Sequence, residues 1–224
     1  MPTIFEPRSY TAGPRKPDKP FVMMYHESLV ERNRVNLAVE ALAMVRDSVS
    51  NAELHIYGRE TPFLERVMEQ VRQKNLSDRV RYLGRKTLEQ LVGEIQKCDV
   101  GVIPNQSNAF TDINTPTRIF EYLALGKPVI ATYWSGNVDF MDETCAACID
   151  FEIRPLGRKY GPYDADQQWA EPSIESASRW MRTLYENRAT GRRLAAAGRK
   201  KIRQALSAHA VGKLVRERLE QINH

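Results

Sequence analysis

The chain has 224 residues, 42% of them hydrophobic and 27% charged, with a formal net charge of +5. That length supports one substantial core, or one domain with appendages. No apolar run approaches the ~18 residues of a membrane span and the N-terminus lacks the apolar core of a signal peptide, so a cytoplasmic protein is expected.

Basic residues concentrate in a leader (Arg8, Arg15, Lys16, Lys19) and near the C-terminus (Arg192, Arg193, Arg199, Lys200, Lys201, Arg203). Such a stretch reads as a solvated face, with attraction to an anionic membrane surface as the alternative. No nucleic-acid module is visible and aromatic residues are not interleaved with the basic ones, so no nucleic-acid partner is expected. Cys145 and Cys148 have C-x-x-C spacing but precede a strand-like run, Ile149-Asp150-Phe151, instead of opening a helix. No second ligand pair lies nearby, and the four histidines show no metal-ligand spacing. The cysteines read as ordinary reduced residues, and no metal is expected.

Pro2, Pro7, Pro14, Pro17 and Pro20 mark residues 1–20 as an extended linker or tail. An ordered domain is expected over 21–224, beginning at the apolar run Phe21 to His26. Strand and helix patterns then alternate: a helix over 35–49, a strand over 54–57, a helix over 61–74, a strand over 80–83, a helix over 87–97 and a strand over 99–104. A helix opening at Thr115, a strand at Val129 and a sixth strand over 147–151 follow. This rhythm predicts an α/β fold: a doubly wound, Rossmann-like parallel sheet with helices on both faces and its ligand at the C-terminal strand ends. Residues 152–172, punctuated by Pro155, Gly157, Gly161, Pro162 and Pro172, read as an irregular loop, and the last fifty residues as a helical C-terminal extension.

The most informative stretch is 115–132, TPTRIFEYLALGKPVIAT. Thr115 suits an N-cap, Pro116 the first helical position, and Gly126 the C-terminal stop. Ile119, Phe120 and Leu123 share an apolar face, and Glu121 stands among them as a misfit. A helix N-terminus offers free amides and partial positive charge to a phosphate, and a carboxylate further in can accept hydrogen bonds from ribose hydroxyls. An exposed helical glutamate beside a well-formed cap is the other reading, and spacing alone does not separate the two.

This segment closely resembles the nucleotide-sugar-binding motif of GT-B glycosyltransferases, in particular glycosyltransferase family 4. The resemblance spans residues 21–222, is strongest over 79–131, and corresponds to the C-terminal, donor-binding half of such enzymes. It implies a retaining glycosyltransferase that uses a nucleotide-sugar as substrate, with no cofactor, and binds the nucleoside diphosphate as leaving group. By the resemblance, Glu121 holds the donor ribose, and the backbone at Thr115, Pro116, Thr117 and Arg118 holds the diphosphate. Arg32 matches a basic position that reaches the diphosphate, and Gly84 and Arg85 match the base-binding loop. Asn105 and Asp112 fall in the loop that approaches the donor sugar, as do Gly136 and Asp139 after the fifth strand. Three positions depart from the pattern: Glu27 and Arg34 replace glycines, and Ile113 replaces a second acidic residue, with Asp112 beside it. The resemblance further implies an N-terminal acceptor-binding domain as partner, so that this chain alone is expected to be inactive. It also implies an exposed apolar interdomain face prone to self-association. A non-catalytic nucleotide-binding or scaffold module is the rival class.

Overall fold

The computed structural model describes residues 19–104, 117–159 and 164–222. Six parallel strands form one sheet: β1 (Phe21–His26), β2 (Ala52–Tyr57), β3 (Val80–Tyr82), β4 (Val100–Ile103), β5 (Val129–Thr132) and β6 (Ala147–Ile149). Their order is β3-β2-β1-β4-β5-β6, a doubly wound Rossmann-like arrangement. The intervening helices are α1 (Val35–Val45), α2 (Pro62–Gln73), α3 (Leu88–Lys97) and α4 (Thr117–Ala124).

Alternation along the strands splits the interior into two cores. Met23 and Tyr25 of β1 join Leu54 and Ile56 of β2 in one core, covered by Ala38 and Leu42 of α1 and Val67 of α2. Met24, on the opposite face of β1, joins Ile103 and Val129 in the other, covered by Ile95 of α3 and by Ile119, Tyr122 and Leu123 of α4. Both faces are thus buried, which is why these strands read as continuous apolar runs.

Local chemistry sets the element ends. Thr61 caps α2 by accepting from the Leu64 N–H (3.2 Å), with Pro62 at the first turn. Thr87 and Gln90 form a reciprocal capping box on α3. The buried Lys127 ammonium donates to the carbonyls of Gln96 (2.8 Å) and Cys98 (2.7 Å), satisfying the C-terminal end of α3. Gly101 lies in β4 directly under Tyr122, so a Cβ there would come within 2.5 Å of the tyrosine ring.

The chain after β6 departs from expectation. Instead of an irregular loop, β7 (Phe151–Pro155) and β8 (Gln168–Pro172) form a two-stranded antiparallel hairpin. Pro155 and Pro172 close opposite strands, pairing with Gln168 and Phe151. Proline is tolerated at such strand ends, so these residues bound the hairpin without breaking it. The Phe151 ring packs edge-on against Trp134, with centroids 4.8 Å apart. Helices α5 (Ile174–Glu186), α6 (Arg188–Leu206) and α7 (Ala208–Ile222) complete the chain. Met181 and Leu184 of α5 and Leu194 of α6 join the first core, and Ile202 of α6 joins the second. Helix α7 buries no residue; it leaves Leu214, Val215, Leu219 and Ile222 exposed. Among the described residues, no helix is long and apolar enough to cross a membrane.

Candidate functional site

The strand order reverses between β1 and β4, and the crevice outside their C-terminal ends is where open α/β sheets take ligands. Strand β1 delivers His26 and Glu27 to this crevice, and the first turns of α4 deliver Arg118 and Glu121. Asn105, Asp112, Thr115 and Pro116 lie outside the described residues.

Arg118 reaches across to the Glu27 carboxylate, 2.5 Å away, with the two side chains 14% and 15% exposed. The Tyr25 hydroxyl approaches the same carboxylate at 3.4 Å. Further along α4, Glu121 Oε2 stands 3.4 Å from His26 Nε2. Both atoms are buried, and neither has a hydrogen-bond partner. The His26 ring packs on Tyr122 (centroids 5.0 Å apart), and the Tyr122 hydroxyl donates to the Met24 carbonyl (2.8 Å). Burial, with the nearby Arg118 charge, pushes His26 down to about 3, so the imidazole is neutral at ordinary pH. Burial pushes Glu121 up, against the attraction of Arg118. A neutral imidazole and a desolvated carboxylate thus face each other with unmade hydrogen bonds, an arrangement that costs free energy unless a polar ligand completes it.

His26 and Glu27 also line a cavity of about 470 Å³ that runs past Tyr57, Gly58 and Arg59 to Arg85 and Lys86. Three cations on its wall suit an anionic ligand. The two loops meet closely: the Glu27 N–H donates to the Tyr57 carbonyl (3.2 Å), and a Cβ on Gly58 would lie 2.3 Å from the Glu27 carbonyl oxygen. Gly58 N–H in turn donates to the Gly84 carbonyl (3.2 Å).

Of the residues singled out from sequence, the structure groups Arg118 and Glu121 in the crevice, with Thr117 opening α4, and places Arg85 on the cavity wall. Gly84 supports the adjoining turn. Arg32 is exposed in a short 3₁₀ turn (Glu31–Asn33) and is not among the cavity's lining residues. Gly136, in the 3₁₀ turn Ser135–Asn137, and the exposed Asp139 also lie outside that lining. Arg34 is held by the hairpin: its guanidinium donates to both Glu171 oxygens (3.1 and 3.0 Å) and lies 5.5 Å from the Trp169 ring centroid. In the sequence His26 only closes the apolar run that starts the domain, and its pairing with Glu121 is not apparent; the expected ligand position at the C-terminal strand ends is the available signal. Among the described residues, no cluster of three or more His, Cys, Asp or Glu side chains is arranged to hold a metal ion.

The profile of the family "Glycosyl transferases group 1" matches residues 9–147, and the chain belongs to that family. No curated protein sequence matches it. Among solved structures, Anabaena HepE in complex with UDP and glucose aligns with TM-score 0.68 at 15% identity, over 91% of this chain and 49% of that one. Sucrose-phosphate synthase from Thermosynechococcus elongatus aligns with TM-score 0.69 at 18% identity, over 92% and 46%. The C-terminal domain of LpcC, a glycosyl transferase group 1 family protein from Francisella tularensis, aligns with TM-score 0.64 at 12% identity, over 85% and 89%. The chain thus has the GT-B C-terminal domain fold and spans about half the length of HepE and of sucrose-phosphate synthase.

Proposed function

We propose that this chain is the donor-binding half of a retaining, family 4-like glycosyltransferase. It holds a nucleotide-sugar while the sugar passes to a carbohydrate or lipid-linked acceptor bound by a second domain. The observation that carries this reading is the buried, unpartnered pair His26 Nε2 and Glu121 Oε2 at the switch point. Vicinal ribose hydroxyls supply what both atoms lack: donors for the carboxylate, and a partner for the imidazole nitrogen. In this reading the N-terminus of α4 and Arg118 take the adjoining diphosphate and the cavity toward Arg85 takes the base; the Arg118 guanidinium at the crevice and the cations lining the cavity support it. The crystal structure of HepE with UDP and glucose supports the reading through a shared fold.

In the reaction, charge grows on the diphosphate as the bond to the sugar breaks. Amides and a guanidinium fixed beside it stabilise that charge without reorganising, which is an electrostatic contribution to catalysis. Calorimetry with UDP, GDP and ADP tests the site. At least one should bind, and Glu121→Ala should weaken it by about 1.5–3 kcal/mol, the usual worth of hydrogen bonds to a charged group. No heat with any of the three at millimolar concentration refutes the reading.

A further inference from the structure

The charge distribution at the crevice raises a difficulty for any phosphate that arrives there. Among the described side chains at its floor, Arg118 is the single cation, against the carboxylates of Glu27 and Glu121. The one guanidinium is already engaged, because Glu27 occupies it. Arg59, Arg85 and Lys86 lie further along, on the wall of the cavity.

Glu27 cannot withdraw by moving its backbone. Its N–H is bonded to Tyr57, and its carbonyl is pressed against Gly58, where even a Cβ has no room. Its backbone is also free of the strain a glycine would relieve: among the described residues, Arg34 and Asn75 are the non-glycine positions with positive φ. Any exchange at Arg118 therefore falls to the side chain, whose carboxylate meets Arg118 and the Tyr25 hydroxyl. A carboxylate presents two oxygens to a guanidinium in the same fork geometry as two oxygens of a phosphate.

We propose that Glu27 is a built-in competitor for the donor's phosphate: its carboxylate occupies Arg118 in the empty site, and the arriving phosphate displaces it. Arg118 is then a phosphate-binding side chain as well as a helix residue, and nucleotide binding exchanges one anion for another on the same guanidinium. This rests on the donor-site reading above. It differs from simple repulsion by Glu27 in requiring that the effect of Glu27 pass through Arg118. The exchange lowers affinity for the nucleotide and gives the departing diphosphate a replacement anion, which favours its release.

The test is a double-mutant cycle on UDP affinity, measured by calorimetry on the intact chain. Glu27→Gln should tighten UDP by about tenfold, the scale of one charge-assisted hydrogen bond. Arg118→Gln should weaken UDP. In the Arg118→Gln background, Glu27→Gln should gain less than about twofold, since sites that act through each other are not additive. Glu27→Asp supplies a control that keeps the charge but shortens the reach; it should also tighten UDP, whereas pure repulsion predicts no gain. An undiminished gain from Glu27→Gln without Arg118, or no gain from either Glu27 variant, overturns the competitor. In those cases the weakening by Glu121→Ala still stands. Absence of UDP binding to the wild type and every variant, with GDP and ADP equally silent, overturns the donor site itself.

Discussion

Arg34 occupies the left-handed region of the backbone at φ 53°, a conformation that favours glycine. A side chain there costs about 1–2 kcal/mol through Cβ contacts that glycine lacks. What compensates is visible: the paired bonds to Glu171, at side-chain exposures of 20% and 24%, and the stack on Trp169. The ion pair contributes up to about 1 kcal/mol and the cation–π contact about 0.5–1 kcal/mol. Arg34→Ala keeps the backbone strain and loses both contacts, so it should cost about 1–2 kcal/mol. Arg34→Gly loses the same contacts and relieves the strain, less about 0.4–1 kcal/mol for glycine's extra freedom when unfolded. Arg34→Gly should therefore be more stable than Arg34→Ala by roughly 0.5–1 kcal/mol, or about 1–4 °C in melting temperature. Urea unfolding of the two variants, compared at equal m-value, measures the difference. If the alanine variant is as stable as the glycine variant, or more so, the left-handed turn at Arg34 is not the conformation in solution, and the role given to the hairpin contacts falls with it.

Gly101→Ala should destabilise strongly, by about 1–3 kcal/mol or more, because the new Cβ meets the buried Tyr122 ring at 2.5 Å. By contrast, Gly93→Ala in the middle of α3, where nothing lies within 4 Å of the new Cβ, should stabilise by about 1 kcal/mol; thermal melts of both variants check the contrast. His26 has a folded pKa of about 3, below its unfolded value of about 6.5. The unfolded chain therefore binds the proton first, and the contribution of the neutral imidazole is complete above pH 6.5 and lost as pH falls toward 3, at up to about 1.4 kcal/mol per unit. Glu121, raised by burial, works in the opposite sense. His26→Gln should accordingly lose stability less steeply than wild type between pH 6.5 and 4.5 in urea titrations; equal slopes would show that His26 protonates freely in the folded state.

The sheet and its helices were legible because the central strands β1, β4 and β5 are apolar and buried, and helices such as α2 and α3 carry their own start signals, Thr61 with Pro62 and Thr87 with Gln90. The hairpin was not, because Pro155 and Pro172 signal a break equally well at a strand end and in a loop. Glu121 stood out as a carboxylate among apolar neighbours on one helix. His26 did not, because its meaning comes from a residue on another element that only the strand order brings near. Arg32, matched to a diphosphate position by resemblance, lies exposed in the 3₁₀ turn Glu31–Asn33. Composition gave no sign of the Glu27–Arg118 pair, since two residues so far apart meet only when β1 and α4 converge on the crevice.

Glu27 and Arg34, at the two ends of the β1–α1 loop, have a common physical logic. Glycines would leave this loop to be shaped by backbone freedom. Here side chains shape it from outside: Arg118 of α4 takes Glu27 at one end, and Glu171 of β8 takes Arg34 at the other. Between them Glu31 pairs with Arg66 of α2 and Arg158 beyond the hairpin strand, at arginine exposures of 66% and 67%. These tethers are unequal. Pairs as exposed as those of Glu31 contribute little, about 0–1 kcal/mol. Removing one partner from a buried pair is far more disruptive, because it leaves a charge without water or counter-ion. The loop is therefore held most firmly at Glu27, where a phosphate would arrive, and most loosely at Glu31. A ligand that supplies its own anion to Arg118 replaces the strong tether without stranding the charge, so exchange at that end is easier than outright rupture, and the rest of the loop has no need to move.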